Sequence, residues 1–140
     1  EMLPYHENRV TLDKEKKDKW GLPVLAIDCE IKDNEKKMRR DMMADAKEML
    51  EAAGLKNVHT YDGGYSPGMG IHEMGTARMG RDPKSSVLNE YNQVWDAKNV
   101  YVTDGSAMTS AGCQNPSLTY MALTARAVDH AVKELKKMNI

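Results

Sequence analysis

Two segments of this chain carry side chains able to handle a hydroxyl proton. The first is His72-Glu73-Met74-Gly75-Thr76-Ala77-Arg78-Met79-Gly80. The second runs from Asp104-Gly105-Ser106 to Gly112-Cys113-Gln114-Asn115-Pro116-Ser117-Leu118-Thr119. A histidine and an asparagine converging on one substrate oxygen would make an alcohol-oxidising site, given a hydride acceptor on the far side of the carbon. Nothing in the sequence supplies that acceptor.

His72 lies in a stretch crowded with Gly63, Gly64, Gly68, Gly70, Gly75 and Gly80. Glycine at this density, away from regular structure, implies a backbone that turns tightly or approaches another group closely. An imidazole on such a loop, with an unperturbed pKa near ~6.5, can take a proton at neutral pH. A surface or structurally hydrogen-bonded histidine fits the same context equally well. Asn115 before Pro116 is ordinary capping chemistry, worth about 1 kcal/mol. The helix it opens also presents unpaired N–H donors and a partial positive charge, which would stabilise an anion such as a reduced flavin. Asp104, at a strand end before Gly105-Ser106, suits a metal ligand, a cap for the next turn or a residue whose backbone nears a phosphate, with the cap as the default. His72-Glu73 does not open a zincin motif, because position 76 is threonine. No GxGxxG fingerprint and no phosphate-loop ending follows any glycine.

The elements that would position these residues are legible in part. Asn8–Asp13 reads as a short strand followed by a lysine-rich solvated loop, Lys14–Lys19. Val24–Lys32 alternates, with Leu25, Ile27, Cys29 and Ile31 on one face and Asp28, Glu30 and Lys32 on the wet one. Asp33 or Asn34 caps a helix from about Asn34 to Ala53, whose Met38, Met42, Ala46, Met49, Leu50 and Ala53 read as a core stripe, with Gly54 as a left-handed stop. Ser86–Leu88 and Gln93–Trp95 are expected as short strands, Asp96–Asn99 as a turn and Val100–Thr103 as a strand. Pro116, at the first helical position behind the Asn115 cap, opens a helix to Lys136 or Lys137 with Leu118, Met121, Ala122, Ala125, Val128, Val132 and Leu135 in one stripe.

The chain has 140 residues, 41% of them hydrophobic, and a net charge of −1. That is one ordinary domain's worth, with no electrostatic reason to expect nucleic acid or an anionic membrane as partner. No apolar run is long enough to span a bilayer, and Glu1-Met2-Leu3-Pro4-Tyr5-His6 lacks the order of a signal peptide. Without a methionine at position 1, the chain reads as a fragment. Cys29 and Cys113 are distant and unclustered, so two free thiols are expected and no structural zinc site. The compartment stays open between cytoplasm and periplasm.

HEMGTARMG, NVYVTDGSAM and GCQNPSLTYMALTARAVDHAV, in that order, resemble the C-terminal domain of the glucose-methanol-choline (GMC) family of flavin-dependent oxidoreductases. NRVTLDKEKKDKWGLPVLAI resembles the strand-turn-strand that begins that domain, so the likeness covers nearly the whole chain. The resemblance implies His72 as catalytic base and Asn115 as the second residue on the substrate oxygen. It implies Asp104 and Gly105 against the FAD diphosphate or ribityl region, and Asn115, Pro116, Ser117, Leu118 and Thr119 against the flavin pyrimidine. The reaction implied is hydride transfer from an alcohol carbon to flavin N5 while His72 takes the hydroxyl proton. Bacterial members acting on sugars, including glycosides at C3, are the most similar in this segment, ahead of those acting on choline or simple alcohols.

The family's N-terminal FAD-binding domain is the expected partner, and its glycine fingerprint has no counterpart here. The chain alone is therefore expected neither to hold FAD tightly nor to turn over. The fold expected is α+β, an antiparallel sheet with flanking helices, in which residues 1–98 belong to the substrate-binding part and residues 99–140 to the flavin-binding layer. The last forty or so residues should then expose apolar surface. The competing reading is a non-catalytic α+β interaction domain with His72 structural and Asn115 merely a cap. Whether oxygen, a quinone or a cytochrome accepts the electrons is not written in these residues.

Overall fold

The structure is a computed structural model and describes residues 2–140. It is α+β, in two compact units, Met2–Met69 and Gly70–Ile140.

In the first unit, β1 (Arg9–Lys17) pairs antiparallel with β2 (Pro23–Asp28), from Arg9 opposite Asp28 to Leu12 opposite Leu25. The pairing then shifts before Lys17, where the Asp13 carboxylate accepts from the amides of Glu15 at 2.9 Å and Lys16 at 2.8 Å. A side chain bonded to its own following amides takes them out of the ladder and bulges the strand. The lysine run expected as a loop is therefore strand as far as Lys17. The turn falls at Asp18, whose carboxylate accepts from the amides of Trp20 and Leu22, both at 2.9 Å.

β2 also ends before the expected Lys32. Asn8 removes Glu30 from the sheet, accepting from its amide at 3.0 Å and donating to its carbonyl at 3.1 Å. The apolar side expected to be dry is open: Leu12, Leu25 and Ile27 are 62%, 65% and 72% exposed. With Val10 opposite Ile27, these four form one apolar face of the hairpin.

Helix α1 (Asp33–Ala52) starts from Lys32, and neither Asp33 nor Asn34 caps it. Glu35 does the capping work instead. From the third helical position its Oε2 reaches back to accept from the Lys32 amide at 3.1 Å, and its Oε1 accepts from the amide of Leu3, also at 3.1 Å. The Tyr5 hydroxyl donates to the same carboxylate, 3.0 Å from Oε2. At the other end Gly54, at φ +93°, donates to Glu51 at 2.9 Å while Leu55 donates to Leu50 at 3.1 Å, a Schellman closure at the expected glycine. The methionine stripe is not a core: Met42, Met49 and Leu50 are exposed, and Glu35 is the buried residue of the helix. Periodicity marks an apolar face correctly and carries no information about what lies on it.

In the second unit, Leu88, Ala107 and Ala127 are the buried apolar residues. Leu88 bridges Met79 on one side and Val94 on the other. Strands β3 (Gln93–Val94) and β4 (Ala97–Tyr101) close a hairpin through a two-residue turn at Trp95-Asp96. The expected turn at 96–99 is thus mostly strand, and the strand expected to reach Thr103 ends at Tyr101. Buried Gln93 explains the shift, since its side-chain amide donates to the Lys98 carbonyl at 2.6 Å and holds that residue in the hairpin. Of the expected Ser86–Leu88 strand, only the Leu88 bridges form.

A single 3-10 turn, Gly105–Ala107, leads to helix α2 (Ser117–Lys136). Its inward face buries Ala127, stacks His130 on Tyr91 at 4.0 Å and sets the His130 Nδ1 3.0 Å from the Tyr101 hydroxyl. The Thr124 hydroxyl reaches the Thr103 carbonyl at 3.0 Å. The stripe from Leu118 to Leu135 faces outward, as expected for apolar surface left open in this segment, with Leu118 80% and Leu135 61% exposed.

The Glu35 cluster makes the first unit sensitive to acid. Burial pushes the carboxyl upward, but the bonds from Leu3, Asn34 and Tyr5 outweigh it and hold its pKa at about 2, below the usual 4.5. A folded pKa below the unfolded one gives stability that is complete above 4.5 and lost as pH falls through about 2. Glu35→Gln should lower the thermal midpoint at neutral pH, and the gap to wild type should close between pH 4.5 and 2. Melts followed by circular dichroism across that range check this, and a gap independent of pH refutes it.

Candidate active site

His72 and the Asp104 turn come together because the backbone between them is sewn to one template. The Ala77 amide donates to the Ser106 carbonyl at 3.0 Å and the Met79 amide to that of Ala107 at 2.9 Å. On the other side the Gly80 amide donates to Leu88 at 2.9 Å, and the Arg78 carbonyl accepts from Val87 at 3.1 Å and Leu88 at 3.2 Å. Segment 77–80 is thereby held from both sides. Gly80 permits this approach, since a Cβ there would stand 2.5 Å from the Cβ of Ser86.

These bonds open a cleft of about 440 Å³ whose wall includes His72, Asp104, Gly105, Pro116 and Ser117. The half-buried His72 imidazole lines this cleft and has no hydrogen-bond partner among the described residues. Asp104 serves as a cap: its Oδ1 accepts from the Ser106 amide at 2.8 Å and from the Ser106 hydroxyl. Gly105 and Ser106 are thus held at the cleft wall by the residue before them.

The helix start departs from expectation by one position. Pro116, with φ −85° and ψ −5°, occupies the cap, and no side-chain bond closes it. Asn115 is exposed and caps nothing among the described residues. The first helix-type bonds run from Thr119 at 3.0 Å and Tyr120 at 3.3 Å to the Pro116 carbonyl. Ser117 and Leu118 therefore keep free amides at the positive end of α2. Asn115, Leu118 and Thr119 lie outside the cleft wall, although they adjoin the two residues that form it.

Residues that sequence reasoning passed over complete the wall: Ile71, Glu73, Met74, Ser106 and Tyr120. Glu73 is a loop tie, accepting from the Gly70 amide at 2.8 Å. Tyr120 shares a 2.7 Å hydrogen bond with the Ser117 hydroxyl, so two hydroxyls stand at the helix end. Tyr120 follows Ser117 by one helical turn, a spacing that could have marked it. Ile71 has left-handed backbone, φ 57°, which a β-branched residue rarely adopts and which no sequence signal announces. The arrangement offers a free imidazole, a hydroxyl pair and helix-end donors around one opening. That set suits removal of a proton beside a ligand carrying acceptor oxygens or delocalised negative charge.

Residues 4–124 match the family model described as GMC oxidoreductase. The chain is 40% identical over 131 residues to 2-methyl-1,2-propanediol dehydrogenase of Mycolicibacterium austroafricanum, covering 93% of this chain and 23% of that protein. It is 34% identical to 6'''-hydroxyparomomycin C oxidase of Streptomyces lividus, over 89% of this chain and 23% of the relative. It is 33% identical to the gluconate 2-dehydrogenase flavoprotein of Pantoea cypripedii, over 86% and 20%. The chain thus spans less than a quarter of the length of these relatives. With the family matched across most of its residues, the chain belongs to the GMC oxidoreductases, and what it carries is their C-terminal domain.

Proposed function

We propose that this chain provides the proton-accepting side of an FAD-dependent oxidoreductase that oxidises the CH–OH group of an alcohol. The observation that carries the reading is the unpartnered His72 imidazole opening into the same cleft as the donor end of α2. Family membership and the names of the relatives, dehydrogenases and an oxidase of 2-methyl-1,2-propanediol, gluconate and 6'''-hydroxyparomomycin C, support it.

A flavin suits the donor set, because the free amides of Ser117 and Leu118 and the Ser117–Tyr120 hydroxyl pair match a ring edge rich in acceptors. When bound, FAD supplies the two-electron acceptor. His72 removes the hydroxyl proton as negative charge builds on the substrate oxygen. Asn115 hydrogen-bonds that oxygen and orients the carbon it belongs to. Asp104, Gly105 and the run Asn115, Pro116, Ser117, Leu118, Thr119 hold the cofactor. In this reading residues 1–98 form the substrate side and residues 99–140 the flavin-binding layer, joined in the whole protein to an FAD-binding portion. A sugar or glycoside is the proposed substrate. The diol named for the 40% identical relative favours a small branched alcohol as the second reading.

Three measurements test this. In the full-length protein His72→Ala should slow flavin reduction by substrate about 10²–10⁴-fold, the usual contribution of a positioned base. Reduction at the wild-type rate removes the assignment. FAD titrated into the purified 140-residue chain should bind weakly; saturable tight binding with quenched flavin fluorescence would show that no further portion is needed. Turnover of the full-length protein on a glycoside panel beside 2-methyl-1,2-propanediol decides the substrate class by the larger kcat/KM.

A further inference from the structure

We propose that Met74 is a positioning residue for His72, and that Gly105 lacks a side chain to admit the Met74 thioether. The inference rests on the role proposed for His72.

The His72 imidazole has no partner of its own, so the backbone around it sets its place. That backbone is bracketed by two left-handed residues, Ile71 at φ 57° and Gly75 at φ 89°. A β-branched residue does not hold this conformation unaided, so its surroundings must impose it. Three contacts do so. The Glu73 carboxylate ties back to the Gly70 amide at 2.8 Å. Gly75 is pressed on the loop before α2, where a Cβ would stand 3.3 Å from the Thr109 carbonyl oxygen. Between them Met74 lies against Gly105, where a Cβ would meet its Sδ at 2.6 Å and its Cε at 2.9 Å, well inside van der Waals contact.

Gly105 is not among the positive-φ glycines, so its conformation does not demand glycine; the Met74 thioether instead fills the space that a Cβ there would take. The Met74 side chain is therefore a side-chain link between the His72 loop and the Asp104–Ser106 turn, added to the backbone bonds of Ala77 and Met79, with Tyr120 at 3.9 Å from the same Cβ position. A methyl group at position 105 makes the thioether give way, and with it the contact that ties the His72 loop to this turn.

The test uses the full-length protein with Met74→Ala, Met74→Leu, Gly105→Ala and the double variant Met74→Ala with Gly105→Ala. Met74→Ala is expected to keep its flavin and to slow flavin reduction at saturating substrate on the order of 10- to 100-fold, the effect of misplacing a reacting group by about an ångström. Its pH–rate profile should shift, because the surroundings of His72 change. Met74→Leu, of similar volume, should restore most of the rate. The loss in the double variant should be smaller than the product of the two single losses, since both substitutions break the same contact and removing the thioether vacates the space the new methyl needs. A double variant whose loss equals the product of the two single losses, or a Met74→Ala protein with wild-type reduction rate and pH profile, overturns the inference. Failure of the underlying reading looks different: His72→Ala then reduces its flavin like wild type, whatever happens at position 74.

Discussion

The site depends on two backbone hydrogen bonds, Ala77 to Ser106 and Met79 to Ala107, which fasten a glycine-rich loop to a turn far along the chain. Without them the imidazole of His72 and the Asp104 turn belong to separate loops with no fixed distance between them. The register cannot slip, because Ala107 and Leu88 are fully buried on either side of the fastened segment and a one-residue shift would bring polar or bulky groups against them. The glycines follow from this constraint. Gly80 clears the approach to Ser86, and Gly105 clears it for Met74.

A second principle recurs in both units: polar side chains, not apolar bulk, set the ends of elements. Glu35 starts α1 and ties down Leu3 and Tyr5. Asn8 binds Glu30 just beyond the end of β2, Asp13 bulges β1, and Gln93 moves the second hairpin's turn. Each satisfies backbone groups that regular structure leaves unpaired, which is why each acts at a boundary.

The same division explains what could be read from the sequence. Both helices, the left-handed stop at Gly54 and the α+β class were legible from periodicity and motif; the expected convergence of His72 with Asn115 was not matched, since Asn115 lies outside the cleft wall that His72 shares with Asp104, Gly105, Pro116 and Ser117. The bulge at Asp13, the early end of β2, the cap at Lys32 and the turn at Trp95-Asp96 were not. They are set by side chains reaching across two to five residues and, for Asn8 on Glu30, across 22. Burial was the other blind spot. The spacing of Met42, Met49 and Leu50, or of Leu25 and Ile27, draws an apolar face, but in this chain those faces are open. Met74 and Tyr120 escaped notice because their importance lies in what they touch, Gly105 and Ser117, and not in their own chemistry.

The two faces of α2 leave a mark on how the segment tolerates change. Ala127 and His130 fill one side, where Glu134 also falls, and Leu118, Met121, Val128, Val132 and Leu135 occupy the other, with Arg126, Asp129, Lys133 and Lys136 exposed on the helix. Were the FAD-binding portion proposed above to be seated on the outer stripe, both sides would behave as interior. A mutational scan of the isolated chain would then score that stripe as permissive, whereas the same substitutions in the whole protein would register as core lesions. The disagreement between the two scans would itself trace the outline of the missing surface.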